Sequence, residues 1–122
     1  MRPRLVAAGL AALGLWPAAA LAHAVLVKSV PAQRAALVEA PPRIELWFNE
    51  RLEPAYSKAS VTNEAGEQVD RRDAAVSAED PRRMSLSLPA LTPGRYTVSF
   101  RVLSVDGHVV ESRLSFTVKE RR

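Results

Sequence analysis

The sequence predicts an all-β protein, a two-sheet immunoglobulin-like β-sandwich of about seven strands. Three observations predict it. Long segments alternate apolar and polar residues with period two: RIELWFNE (43–50), GRYTVSFRVLS (94–104) and HVVESRLSFTVKE (108–120). Such alternation marks strands with one buried face. Prolines fall between these runs, at positions 31, 41, 42, 54, 81, 89 and 93, where a missing backbone donor does least harm. Only PAQRAALVEA (31–40) suggests a helical turn, and it is short.

Residues 1–22 read as a secretory signal peptide. Arg2 and Arg4 form a basic start, Leu5 to Leu15 an apolar run, Pro17 a break, and Ala20-Leu21-Ala22 a small-residue cleavage site. The run is too short to span a bilayer, which takes about 20 apolar residues. No basic stop-transfer cluster follows it. Cleavage after Ala22 is expected to release residues 23–122 as one exported domain, with no stable membrane insertion afterwards.

Composition narrows the class. The chain has no cysteine, so its core must hold the fold without disulfides, and a thiolate metal site is excluded. Basic residues number 17 and acidic ones 13. Losing Arg2 and Arg4 leaves 15 against 13, a net charge of +2. Pairs such as Arg71-Arg72 and Arg82-Arg83 read as solvated surface. A nucleic-acid partner would need a basic face with stacking aromatics, and none is expected here.

The elements follow in order. A first strand is expected over His23 to Ser29, then Ile44, Leu46 and Phe48 share the buried face of the next. Trp47 alternates to the opposite face and is expected to be half exposed, beside a functional patch. Shorter strand candidates are Ala55 to Thr62, Gln68 to Arg71 and Met84 to Leu88. Tyr96, Val98, Phe100 and Val102 alternate in one long segment, and Val110, Leu114, Phe116 and Val118 in the last. The predicted core is Leu26, Ile44, Leu46, Phe48, Val61, Leu86, Tyr96, Val98, Phe100, Leu114 and Phe116.

Two histidines carry the chemistry. His23 follows Ala22 directly, so cleavage would give it a free α-amine. That amine and the imidazole Nδ1 can close a chelate ring on one metal ion. Their ordinary pKa values, about 8 and about 6.5, let a metal displace their protons. The second histidine stands in SVDGHVVES, two residues after Asp106. Asp-Gly marks a tight hairpin turn, and residues i and i+2 of an extended segment point to one side. Asp106 and His108 can thus offer an oxygen and a nitrogen to the same ion. Three nitrogens and one oxygen make a square set suited to copper(II). The plainer alternatives are that Asp106-Gly107 only serves the turn and that His23 only starts a strand.

HAVLVKSVPA after the signal, IELWFNE and VDGHVVESRLSFTV near the end resemble the CopC-type periplasmic copper-binding (copper resistance) proteins. The resemblance spans residues 23–122. It implies a Greek-key β-sandwich, copper(II) ligands at His23, Asp106 and His108, and a CopD-like copper transport protein of the inner membrane as partner. It also implies a role in copper homeostasis or resistance. A family glutamate sometimes counted as ligand or neighbour falls on Glu50, expected here to sit beside the metal rather than on it. Some members bind copper(I) through a methionine-rich loop. This chain keeps only Met84 after cleavage, and a lone methionine is more often core.

The leading expectation is a monomeric, non-catalytic periplasmic copper(II) carrier or buffer. One alternative is an oxidase of the histidine-brace type, like the lytic polysaccharide monooxygenases. A charged Asp106 in the coordination plane argues against it, because it would favour copper(II) over copper(I). The other is an interaction module that needs no metal.

Overall fold

The computed structural model describes residues 25–120. The predicted signal segment, 1–22, and His23 lie outside the described residues. Among the described residues there are eight strands: β1 (Leu26–Val30), β2 (Ala35–Leu37), β3 (Arg43–Phe48), β4 (Lys58–Thr62), β5 (Ala75–Val76), β6 (Arg83–Ser87), β7 (Gly94–Leu103) and β8 (Val109–Val118). They form two four-stranded sheets, β1-β3-β6-β5 and β2-β8-β7-β4. This is the sandwich that the alternation predicts.

The core lies between the sheets because each long strand sends every second side chain inward. Ile44, Leu46 and Phe48 from β3 meet Val98, Phe100 and Val102 from β7 and Leu114, Phe116 and Val118 from β8. Phe48 and Phe100 pack edge to face across the sheets, with ring centroids 5.4 Å apart. Tyr96 stacks on Phe116, and its hydroxyl donates to the Thr92 carbonyl at 2.5 Å. A tyrosine that ties a strand start to backbone just upstream is a recurrent device of such sandwiches. The predicted core residues are all buried except Leu26, which is half-buried against the same cluster. Leu52, Met84, Leu88, Val102 and Val118 complete it.

Three local expectations change. The segment 31–40 contains a strand, not a helical turn. Arg34 takes a left-handed φ of 64°, and Ala35–Leu37 then run parallel to Phe116–Val118. An isolated helix of under about 12 residues is marginal, whereas pairing satisfies the open edge of β8. Gln68 to Arg71 form no strand. Instead the buried Asp70 carboxylate accepts the Val61 N–H of β4 at 2.8 Å and the Arg72 N–H at 2.8 Å. A side chain replaces a strand partner there, and β5 forms later, beside β6. Residues 54–56 make a short 3₁₀ turn, so β4 begins at Lys58 rather than Ala55.

Trp47 is half-buried on the outer face of its sheet, with Lys28 Nζ 4.7 Å from its ring centre. Met84 is wholly buried, opposite Leu46 and Val76 in the strand ladders. Among the described residues no helix is long and apolar enough to cross a membrane.

Candidate metal centre

The candidate centre is the connection between β7 and β8. Ser104 N–H donates to the His108 carbonyl at 2.9 Å, and Gly107 N–H donates to the Ser104 carbonyl at 2.9 Å. This is a three-residue hairpin loop closed by a glycine at φ 95°, the bulged form of the turn. A hairpin turn of two residues built on Asp106-Gly107 would require positive φ at both of them. Asp106 is not among the positive-φ residues and only Gly107 supplies that conformation, so the loop is one residue longer.

The loop brings Asp106 and His108 together. His108 Nδ1 lies 3.2 Å from Asp106 Oδ1, with the two side chains 44% and 33% exposed. The pair was expected to meet by the alternation of an extended strand, but the turn itself folds one side chain onto the other. Nδ1 is shielded from solvent, turned in toward the Asp106 carboxylate.

Ser104 organises the loop. It is 1% exposed. Its hydroxyl donates to Asp106 Oδ1, and its Oγ accepts the His108 N–H at 3.2 Å. Both close contacts of the Asp106 carboxylate therefore fall on Oδ1, and Oδ2 takes no part in either. The Ser104 hydroxyl, and next the His108 imidazole, hold the Asp106 carboxyl below its usual 3.8, outweighing the opposing effect of desolvation. At neutral pH Asp106 is an anionic oxygen donor.

His23 lies outside the described residues, and Glu50 is placed by the segment that follows β3. Asn49 N–H donates to the Val25 carbonyl at 3.0 Å, Val105 N–H donates to the Arg51 carbonyl at 2.9 Å, and Glu53 N–H donates to the Leu103 carbonyl at 2.8 Å. Leu52 bridges Ser104. Residues 49–53 thus link the start of β1 to the β7–β8 loop. Val25, Asp106 and His108 stand at one end of the sandwich. Glu50 is half-buried within this link, between its two anchor points.

A carboxylate oxygen beside an imidazole nitrogen suits a borderline transition-metal ion. Among the described residues no cluster of three or more His, Cys, Asp or Glu side chains forms. Asp106 and His108 therefore need further donors to fill a coordination sphere. Two residues escaped the sequence reading. Ser104, two positions before Asp106, is a hydroxyl residue at the start of the turn, and such residues are a turn signal. Asn49 carried no signal of its own, because its partner lies 24 residues away.

Comparison with known proteins supplies the family. The CopC domain model matches residues 26–119. Copper resistance protein C of Pseudomonas syringae pv. tomato is 37% identical over 122 residues, covering 94% of this chain and 92% of that protein. Protein YobA of Escherichia coli (strain K12) is 36% identical over 99 residues, 80% of each chain. The crystal structure of CopC from Methylosinus trichosporium OB3b superposes with a TM-score of 0.76 at 38% identity, covering 82% of this chain and 97% of that one. With a family model spanning both sheets and the loop that carries Asp106 and His108, this chain belongs to the CopC domain family.

Proposed function

We propose that this protein is a non-catalytic copper carrier and buffer of the periplasm, acting in copper homeostasis or resistance. Copper(II) is its cargo. The observation that carries the reading is the convergence of the Asp106 carboxylate and the His108 imidazole at the end of the sandwich where β1 begins. The names of its relatives, copper resistance proteins among them, point to the same metal.

The missing donors are assigned to His23. Two residues of chain reach at most about 7 Å, so His23 is tethered close to Val25 at this same end. Cleavage after Ala22 would free its amine, which joins the imidazole Nδ1 in a chelate ring. His108 completes three nitrogens and Asp106 adds one oxygen, the set that copper(II) favours. Glu50 sits beside this set as a neighbouring carboxylate. The anionic oxygen stabilises the divalent ion over copper(I), as a carrier of copper(II) requires. Met84, the one methionine after residue 22, is enclosed in the core and offers no soft surface ligand. The carrier acts as a monomer and passes copper to a CopD-like protein of the inner membrane.

The test compares two forms of the exported domain, one starting at His23 and one with an extra residue before it. In chelator competition the extended form should bind copper(II) much more weakly, because its α-amine is an amide. Equal affinity in the two forms overturns the chelate.

A further inference from the structure

We propose that Asn49 is a positioning residue for the copper site, holding the start of the chain where the His23 amine meets Asp106 and His108. The inference rests on the chelate reading above. Its basis is a closed pair of hydrogen bonds. Val25 N–H donates to Asn49 Oδ1 at 2.6 Å, and Asn49 N–H donates back to the Val25 carbonyl at 3.0 Å.

The ladder between β1 and β3 explains why a side chain is needed. Leu26 pairs with Phe48, so Val25 and Asn49 are the next antiparallel neighbours. Strand β3 ends at Phe48, and the backbone then turns away toward Leu52 and Ser104. The amide oxygen of Asn49 stands in for the main-chain acceptor that an uninterrupted ladder would offer Val25. Pairing is thereby extended by one residue toward the chain start while β3 is released to cross to the other sheet.

The consequence concerns the chelate. Without the Oδ1 bond, Val25 would be held to β3 by its carbonyl alone, and the first residues of the mature chain would swing about Val25. Each freed residue adds about 1–2 kcal/mol of backbone entropy to be lost when the metal is gripped. With the bond, only the two residues before Val25 need ordering. The next residues of the same link tie to the loop through Val105 N–H and the Arg51 carbonyl. Asn49 therefore fixes one half of the donor set relative to the other. Its side chain is on the surface and lies outside the buried core, so its replacement should leave the fold intact.

The experiment uses the domain beginning at His23, with Asn49→Ala and Asn49→Asp, and each also carrying one extra residue before His23. Asn49→Ala should lower copper(II) affinity about tenfold in chelator competition and alter the nitrogen hyperfine pattern in paramagnetic resonance. Asn49→Asp keeps an acceptor oxygen and should restore both. In the extended forms Asn49→Ala should change nothing further. Amide exchange at Val25 in the unsubstituted domain needs no variant, and slow exchange is expected. Unchanged affinity and spectrum in Asn49→Ala, or Val25 exchange at the free-peptide rate, overturns the role of Asn49 while leaving the chelate standing. Loss of any difference between unsubstituted and extended domains overturns the chelate and this inference with it.

Discussion

Asp106 and His108 meet within one hairpin loop, Oδ1 to Nδ1 at 3.2 Å, on a carboxylate that already receives the Ser104 hydroxyl. An acid, an imidazole and a buried hydroxyl are thus locked together by the turn between two ten-residue strands. The strands are the most extensively paired in the molecule, from Gly94–Val118 to Leu103–Val109. The loop is therefore held at the end of a fully paired hairpin.

Removing the imidazole should abolish tight binding while sparing the fold. His108→Ala is expected to lower copper(II) affinity by more than about 100-fold, beyond the range seen for groups that only support a ligand. Its unfolding free energy should stay within about 0.5 kcal/mol, as for other surface substitutions. Chelator competition and urea unfolding of the same samples check the two halves.

Ser104→Ala should weaken both binding and folding. The loss of the hydroxyl releases Asp106 and deprives the His108 N–H of an acceptor. A drop of about tenfold in copper(II) affinity is expected, with about 1 kcal/mol lost from stability. An alanine variant that binds copper as tightly as the original would show that the hydroxyl serves the turn alone.

Stability should depend on acid through Asp73. Its carboxylate accepts the Ser87 N–H at 2.8 Å. The Ser87 side chain foremost, then the Ser87 backbone, hold it below its usual 3.8, with the charge of Arg71 helping least. A group with a lowered folded pKa binds fewer protons in the native state. Its stabilisation is fully present above 3.8 and is lost as the pH falls through the folded value. Asp73→Asn should melt lower than the original at neutral pH, and the two curves should converge in strong acid. Melting temperatures of the metal-free domain across that range decide it.

Asp70 has a structural role that can be separated from copper. Asp70→Ala leaves the N–H of the buried Val61 without its acceptor. A loss of about 2 kcal/mol is expected, with copper(II) affinity of the folded fraction unchanged. Chemical unfolding measures the first and competition the second.

Much of this protein was legible in its residues. Ile44, Leu46 and Phe48, or Tyr96, Val98 and Phe100, declare their buried faces because a strand's period of two is written locally. Asp106 and His108 are legible as a pair because only Gly107 stands between them. The means by which they meet was not: the expected extended alternation gave way to a bulged loop, since only Gly107 takes positive φ there.

The sequence by itself determined the long strands β3, β7 and β8, the all-β class and the family, and it set Asp106 and His108 side by side in one turn. Tertiary structure alone decided that Ala35–Leu37 pair in parallel with β8, that Asp70 replaces a strand partner, and that Asn49 holds Val25. Each of these satisfies a backbone group with a partner from a separate stretch of chain. Which N–H is left open at a sheet edge depends on where strands end against one another, and no local pattern of apolar and polar residues encodes that.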